Sequence, residues 1–307
     1  MTAARDLASS IEANKIESSQ IETNNQSGWK ARLNLEFSNP SGSAQGGKTV
    51  LSKREQRGPL AVQRPLYPEG GICHTYLLHP PGGVVGGDSL SISTQSQTGA
   101  HALVTTPGAT KFYLSDDRLA KQTLNLKVES GATLEWFPLE NIYFSGAIAH
   151  LETQIDLASD ARFMGWEMHS FGRPALNEGF LKGKISGRTQ IRVDDSPLLI
   201  EGLNLNGMDK RFFNSGLQQC PTMGSLYVFG ASPNALELVQ GLLHQFEKDH
   251  SSESDPITIA VTVVDGLMVV RAISKWTESM MDAFTQVRTV IREQWGLKNN
   301  APRIWAT

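Results

Sequence analysis

Lys30-Ala31-Arg32-Leu33-Asn34-Leu35-Glu36-Phe37 alternates polar and apolar residues at every step. That is the period of a strand with one face in a core and the other in water. Short β-branched or alternating runs then follow one another, cut by glycine and proline, at 72–79, 89–94, 101–106, 122–129, 133–137, 147–156, 162–171, 180–193, 198–205 and 222–230. Strands at this spacing with no helix between them predict a mainly β protein, a large antiparallel body of layered or coiled sheets.

Only the last quarter changes period. Ser232-Pro233 reads as an N-cap followed by proline in the first helical turn, and Leu236, Val239, Leu243 and Phe246 then recur at helical spacing. Two more strands, 257–265 and 267–274, lead into a helix whose stripe carries Met280, Ala283, Val287 and Val290 and whose stop is Gly296. Residues 232–295 therefore read as an α-β-β-α segment, within a helix-containing C-terminal part 232–307, packed on a β body spanning 28–231. Residues 1–27, rich in Ser, Asn, Gln and Glu and without an aromatic residue, bury too little apolar area to offset ordering entropy and read as a disordered or weakly helical tail.

The chain has 307 residues, net charge -3 and a pI near 6.2, a balance that argues against a nucleic-acid or anionic-membrane partner. Cys73 and Cys220 are far apart and in no CxxC arrangement, so they supply neither a disulfide framework nor a structural zinc site. With no cationic stretch leading an apolar core and no long apolar run, the protein reads as soluble and cytoplasmic.

His79-Pro80-Pro81-Gly82-Gly83-Val84-Val85-Gly86-Gly87-Asp88 is too ordered in composition to be a linker. The prolines fix φ, the glycines let another backbone come close, and Asp88 is delivered at the mouth of the next strand. A tight turn is the plain alternative. A phosphate loop is excluded, because it would carry Lys and a hydroxyl where Asp88 stands. A second such turn, Pro107-Gly108-Ala109-Thr110-Lys111, presents Thr110 and Lys111. His79 beside the first turn reads more readily as a hydrogen-bonded structural histidine than as a ligand.

No hydrolase elbow, zincin helix or dinucleotide fingerprint is present. The candidates for chemistry are carboxylates inside apolar strands. In 162–171, alternation sets Phe163, Gly165, Glu167, His169 and Phe171 on one face. A carboxylate beside an imidazole suits a borderline divalent ion, and a buried glutamate paired with Arg162 or Arg173 is the plainer alternative. Glu201 shares a face with Leu199 and Leu203, where a charge costs several kcal/mol unless it is paired, hydrated or protonated. If Asp88, Glu167 and Glu201 converge, they line an acidic cavity able to pass cations. Arg173 and Glu178 flank a turn and read as a structural ion pair. Cys73 and His74 point to opposite faces of a strand and make a poor metal site.

The series Gly28-Trp29-Lys30-Ala31, Gly58-Pro59-Leu60, 62–69, 76–83, Gly86-Gly87-Asp88, 107–113, Leu134-Glu135-Trp136, Pro138, Gly172-Arg173-Pro174 and Pro302-Arg303-Ile304-Trp305 resembles the UreD family of urease accessory proteins, also called UreH. The match runs in order from 28 to 307. The resemblance implies a non-enzymatic maturation factor that binds UreF and, through it, the GTPase UreG, docks on apo-urease and passes nickel in transit through an internal tunnel. The positions matching its path are Asp88, Thr110, Glu167 and Glu201. In this family position 167 is often Asp, and Glu reaches one methylene further. A chaperone must release its metal, so weak, hydrated carboxylate contacts serve better than a His-Cys cage. An acid-base hydrolase using Glu167 and Glu201, or a purely structural adaptor, are the alternatives from other classes.

Overall fold

The computed structural model describes residues 28–41, 47–207, 209–250, 252 and 254–306. The segment 1–27, read as a tail, lies outside the described residues. Two sheets make the body. One is seven-stranded and runs in the order β15 (Ser196–Asn206), β14 (Lys184–Val193), β11 (Ile148–Leu157), β8 (Ala120–Val128), β5 (Ser89–Ser96), β1 (Lys30–Ser38) and β2 (Val50–Arg57). The other runs β17 (Ile257–Val264), β18 (Leu267–Ser274), β16 (Thr222–Phe229), β12 (Arg162–Arg173), β9 (Thr133–Phe137), β6 (His101–Thr105), β4 (Cys73–Leu78) and β3 (Ala61–Val62). Short strands β7 (Thr110–Phe112), β10 (Asn141–Tyr143) and β13 (Glu178–Gly179) pair beside β12.

The mainly β body of stacked, coiled sheets with C-terminal helices is as the sequence implies, but the strand direction at its centre is not. β14, β11, β8, β5 and β1 pair in parallel, as do β12, β9, β6 and β4. Antiparallel pairing is confined mainly to the flanks, β1–β2, β14–β15, β3–β4 and the β12–β16–β18–β17 run. The cause is the path of the chain. At the centre of the body the chain enters the opposite sheet instead of returning beside itself, so the next strand in the same sheet arrives one coil later and in the same direction.

The two strand patterns have separate causes. β1, β5, β8 and β11 alternate buried and exposed because the outer face of their sheet meets water. β4, β9 and β12 are buried along nearly their whole length. Their sheet is covered twice: one face packs on the first sheet through Leu134, Trp136, Phe163 and Phe171, and the other packs on helices through Met164, Trp166, Leu226 and Val228. Helices α1 (Ala235–His250) and α2 (Thr277–Gln294) form that cover with Val239, Leu243, Phe246, Met280, Phe284, Val287 and Ile291. Gly296, at φ 72°, ends α2 by letting its amide reach Glu293 and the Leu297 amide reach Arg292. The sequence reading missed β2, whose Ser-Lys-Arg-Glu-Gln-Arg run is that of a charged edge strand.

Candidate functional site

Large apolar side chains from both sheets fill most of the space between them. On β11, β14 and β15 that filling is interrupted by Thr153, Thr189, Gly187 and Gly202, and opposite them β12 presents Glu167 and His169. The result is an internal cavity of about 120 Å3, roomy enough for several waters. It adjoins two others. Leu77, Ile92, Thr106, Thr110 and Gln122 are shared with a cavity of about 460 Å3 under the two glycine-proline turns. Glu201, Gly202, Met223, Gly224 and Ser225 are shared with one of about 610 Å3 on the opposite flank. Three cavities thus follow one another between the sheets, with Thr110 at the first junction, Glu167 in the middle and Glu201 at the second.

Glu167 accepts a hydrogen bond from the Thr189 hydroxyl at 2.8 Å. Neither Arg162 nor Arg173 pairs with it: Arg162 lies over the Trp295 ring and Arg173 pairs with Glu178. Burial pushes the Glu167 carboxyl above the usual carboxylate range, the Thr153 and Thr189 hydroxyls oppose that, and the nearby Glu201 charge adds to it. Two residues on, His169 is buried and its Nδ1 meets the Tyr143 hydroxyl at 2.9 Å. Burial lowers its pKa to about 4, so the ring is neutral at pH 7. The alternation along β12 thus placed both groups on the face that looks into the cavity.

Glu201 is paired. Its Oε2 accepts from the Tyr227 hydroxyl at 2.7 Å and its Oε1 from the Arg271 guanidinium. Thr110 sits on β7 with its amide bonded to the Glu140 carbonyl, and its side chain is part of two cavity walls. Asp88 behaves differently. Oδ1 accepts from the Trp29 amide at 2.8 Å and Oδ2 from the Val85 amide at 3.0 Å. The carboxylate is turned back into its own turn and is absent from the walls of all three cavities, so Glu167 and Glu201 converge and Asp88 does not join them. Strand alternation gives a side chain's face but not the pull of two free amides at a strand's first residue. Gly87, at φ 92°, and Gly28, whose missing Cβ would lie 1.9 Å from the Gly87 carbonyl, bring β1 against this turn.

His79 is half-buried on the wall of the cavity beneath the turns. Burial holds its imidazole below the ordinary value, with Asp88 opposing. Arg173 donates to Glu178 at 2.6 Å and lies over the Phe144 ring, the structural pair expected of that turn. Cys73 and Cys220 are free and buried, and His74 faces Glu69 at 3.0 Å. Among the described residues no group of three or more His, Cys, Asp or Glu side chains could hold a metal ion, and no helix is long and apolar enough to cross a membrane.

The sequence reading overlooked a second constellation, on the helical side of the inner sheet. Arg292 of α2 reaches Glu69 and Glu135 and donates to the Lys298 carbonyl, while Arg288 lies 3.6 Å from Glu135 and donates to the Asn300 carbonyl. Burial alone would raise the Glu135 carboxyl, but His101, Arg292 and Arg288 outweigh it and hold it at about 2. The available signal was a pair of arginines four apart beside an apolar helical stripe, matched by one carboxylate in the apolar run 133–137.

The model of the family described as UreD urease accessory protein matches residues 30–306. The chain is 46% identical over 285 residues to the urease accessory protein UreD of Aliivibrio fischeri strain MJ11, covering 92% of this chain and 97% of that protein. It is 44% identical over 282 residues to the Escherichia coli protein of the same name, with 92% and 98% covered. It is 38% identical over 288 residues to that of Klebsiella pneumoniae, with 91% and 96% covered.

Proposed function

The chain belongs to the UreD family of urease accessory proteins, and we propose that it serves urease maturation by conducting nickel between its sheets to apo-urease. In this reading it acts with UreF and UreG, whose GTP hydrolysis drives the activation, and it is a chaperone for a metal in transit and not an enzyme. The observation that carries the reading is the row of three adjoining cavities with Glu167 at its centre. A carboxylate there, held by hydroxyls and by no cation among the described residues, attracts a divalent ion without gripping it. Thr110 and His79 border the approach from the turns, and Glu201 borders the far junction. Asp88 contributes by holding the turn that roofs the first cavity.

Glu167→Gln tests this, since the amide keeps the shape and the threonine contacts and removes the charge. Urease co-expressed with the variant and with UreF and UreG is expected to carry several-fold less nickel than with the wild type, at unchanged recovery of the accessory complex. Equal nickel content would reject the conduit.

A further inference from the structure

Glu201 stands where the two sheets part. β15 is the edge of the seven-stranded sheet and β16 belongs to the other, so among the described residues no ladder closes this flank. Glu201 bridges it with its side chain, to Tyr227 of β16 and Arg271 of β18. It also belongs to the wall between the 120 Å3 cavity and the 610 Å3 one, and Arg271 borders only the second of the two. Each carboxylate oxygen already has a donor. A cation leaving Glu167 therefore meets a neutralised carboxylate with a positive charge behind it.

We propose that Arg271 is the gate of this flank: it holds the Glu201 carboxylate closed against a cation, and passage requires the metal to replace the guanidinium there. The proposal rests on the conduit reading above and adds to it the residue that controls one end. The geometry suits an exchange. The Arg271 side chain is 45% exposed and that of Glu201 25%, so the guanidinium swings into water and rehydrates at small cost. Tyr227 is buried and its hydroxyl donates to Oε2 at 2.7 Å, a phenol being protonated at neutral pH. It keeps the carboxylate aimed while its other oxygen changes partner. The exchange also selects by charge, since a divalent ion brings twice the charge of a guanidinium to that oxygen and a monovalent ion brings no more.

The test uses the full chain and nickel ion alone, by equilibrium dialysis at fixed ionic strength, with folding checked by thermal melting. Arg271→Gln is expected to bind nickel at least about fivefold more tightly than wild type. Arg271→Lys, which keeps the charge and loses the planar fork, should show a smaller gain of the same sign. The gain should vanish in the double variant Arg271→Gln with Glu201→Gln. No gain in Arg271→Gln, or a gain that survives without Glu201, overturns the gate. The Glu167→Gln nickel-loading assay separates the two ideas. If that variant still starves urease of nickel while Arg271→Gln shows no gain, only the gate falls; if urease is loaded normally, the conduit falls and the gate with it.

Discussion

Asp88 carries two backbone amides on its two oxygens, so its first duty is to the glycine turn and the start of β1. Asp88→Ala leaves both donors without an acceptor and is expected to lower stability by about 2 kcal/mol in urea denaturation, with Asp88→Asn losing less because one oxygen remains. An alanine variant as stable as wild type would refute the capping role. Glu167 has the opposite sign. Its carboxyl is raised in the fold, so the stability linked to its protonated form is complete below the ordinary value of 4.5 and is lost as pH rises through the folded value. Glu167→Gln cannot ionise and is expected to melt higher than wild type at pH 8, the advantage disappearing below pH 4.5. A wild type that melts higher at pH 8 would contradict this. The residue proposed to serve the metal is thus one that the fold alone would replace.

At the scale of elements, α2 is joined to the inner sheet by charge as well as by its apolar stripe. Arg292→Met leaves buried Glu69 with His74 and buried Glu135 with His101 and the more distant Arg288, and is expected to cost about 3–5 kcal/mol of unfolding free energy. The pH dependence follows from Glu135, whose carboxyl is depressed to about 2. Its contribution, on the order of 3 kcal/mol, is present above 4.5 and lost as pH falls through about 2. Glu135→Gln should therefore flatten the dependence of stability on pH across that window, and an unchanged slope would show that the network does not couple to folding. α1 and α2 were readable from their helical apolar stripes, and α2 also from its Gly296 stop, whereas α1 begins at Ala235, beyond the expected Ser232 cap, whose hydroxyl bonds Asn234 instead. The partners of Arg288 and Arg292 were not, since a helical stripe records burial and not what lies across the interface.

Outer sheet, inner sheet and helices make three layers of the described residues, with Trp305 near the C-terminus set against the inner sheet beside Arg288 of α2. Trp305 packs 5.7 Å from Phe137 and 5.3 Å from Trp166, and its indole donates to Thr105 at 3.0 Å. Ending the chain before Pro302 is expected to remove about 2–4 kcal/mol. Because the inner sheet belongs to both cores, the loss should shift one melting transition followed by far-ultraviolet and tryptophan signals alike. Two separated transitions would show that the helical layer unfolds by itself.

Alternation between neighbouring residues is local, and it determined that this chain is mainly β over 28–231, which side chains of β12 and β15 face inward, and that an α-β-β-α order follows. The order of residues 28–307 also carried the family. Strand direction was decided by tertiary structure, because a turn looks the same whether the chain comes back beside itself or crosses to the other sheet. So were the partners of the charges. Glu201 finds Arg271 at a separation of 70 residues and Glu135 finds Arg292 at 157. A charge inside an apolar strand announces only that some partner, water or proton must meet it, and which of the three does so is set by whatever the coiled sheets bring across the gap.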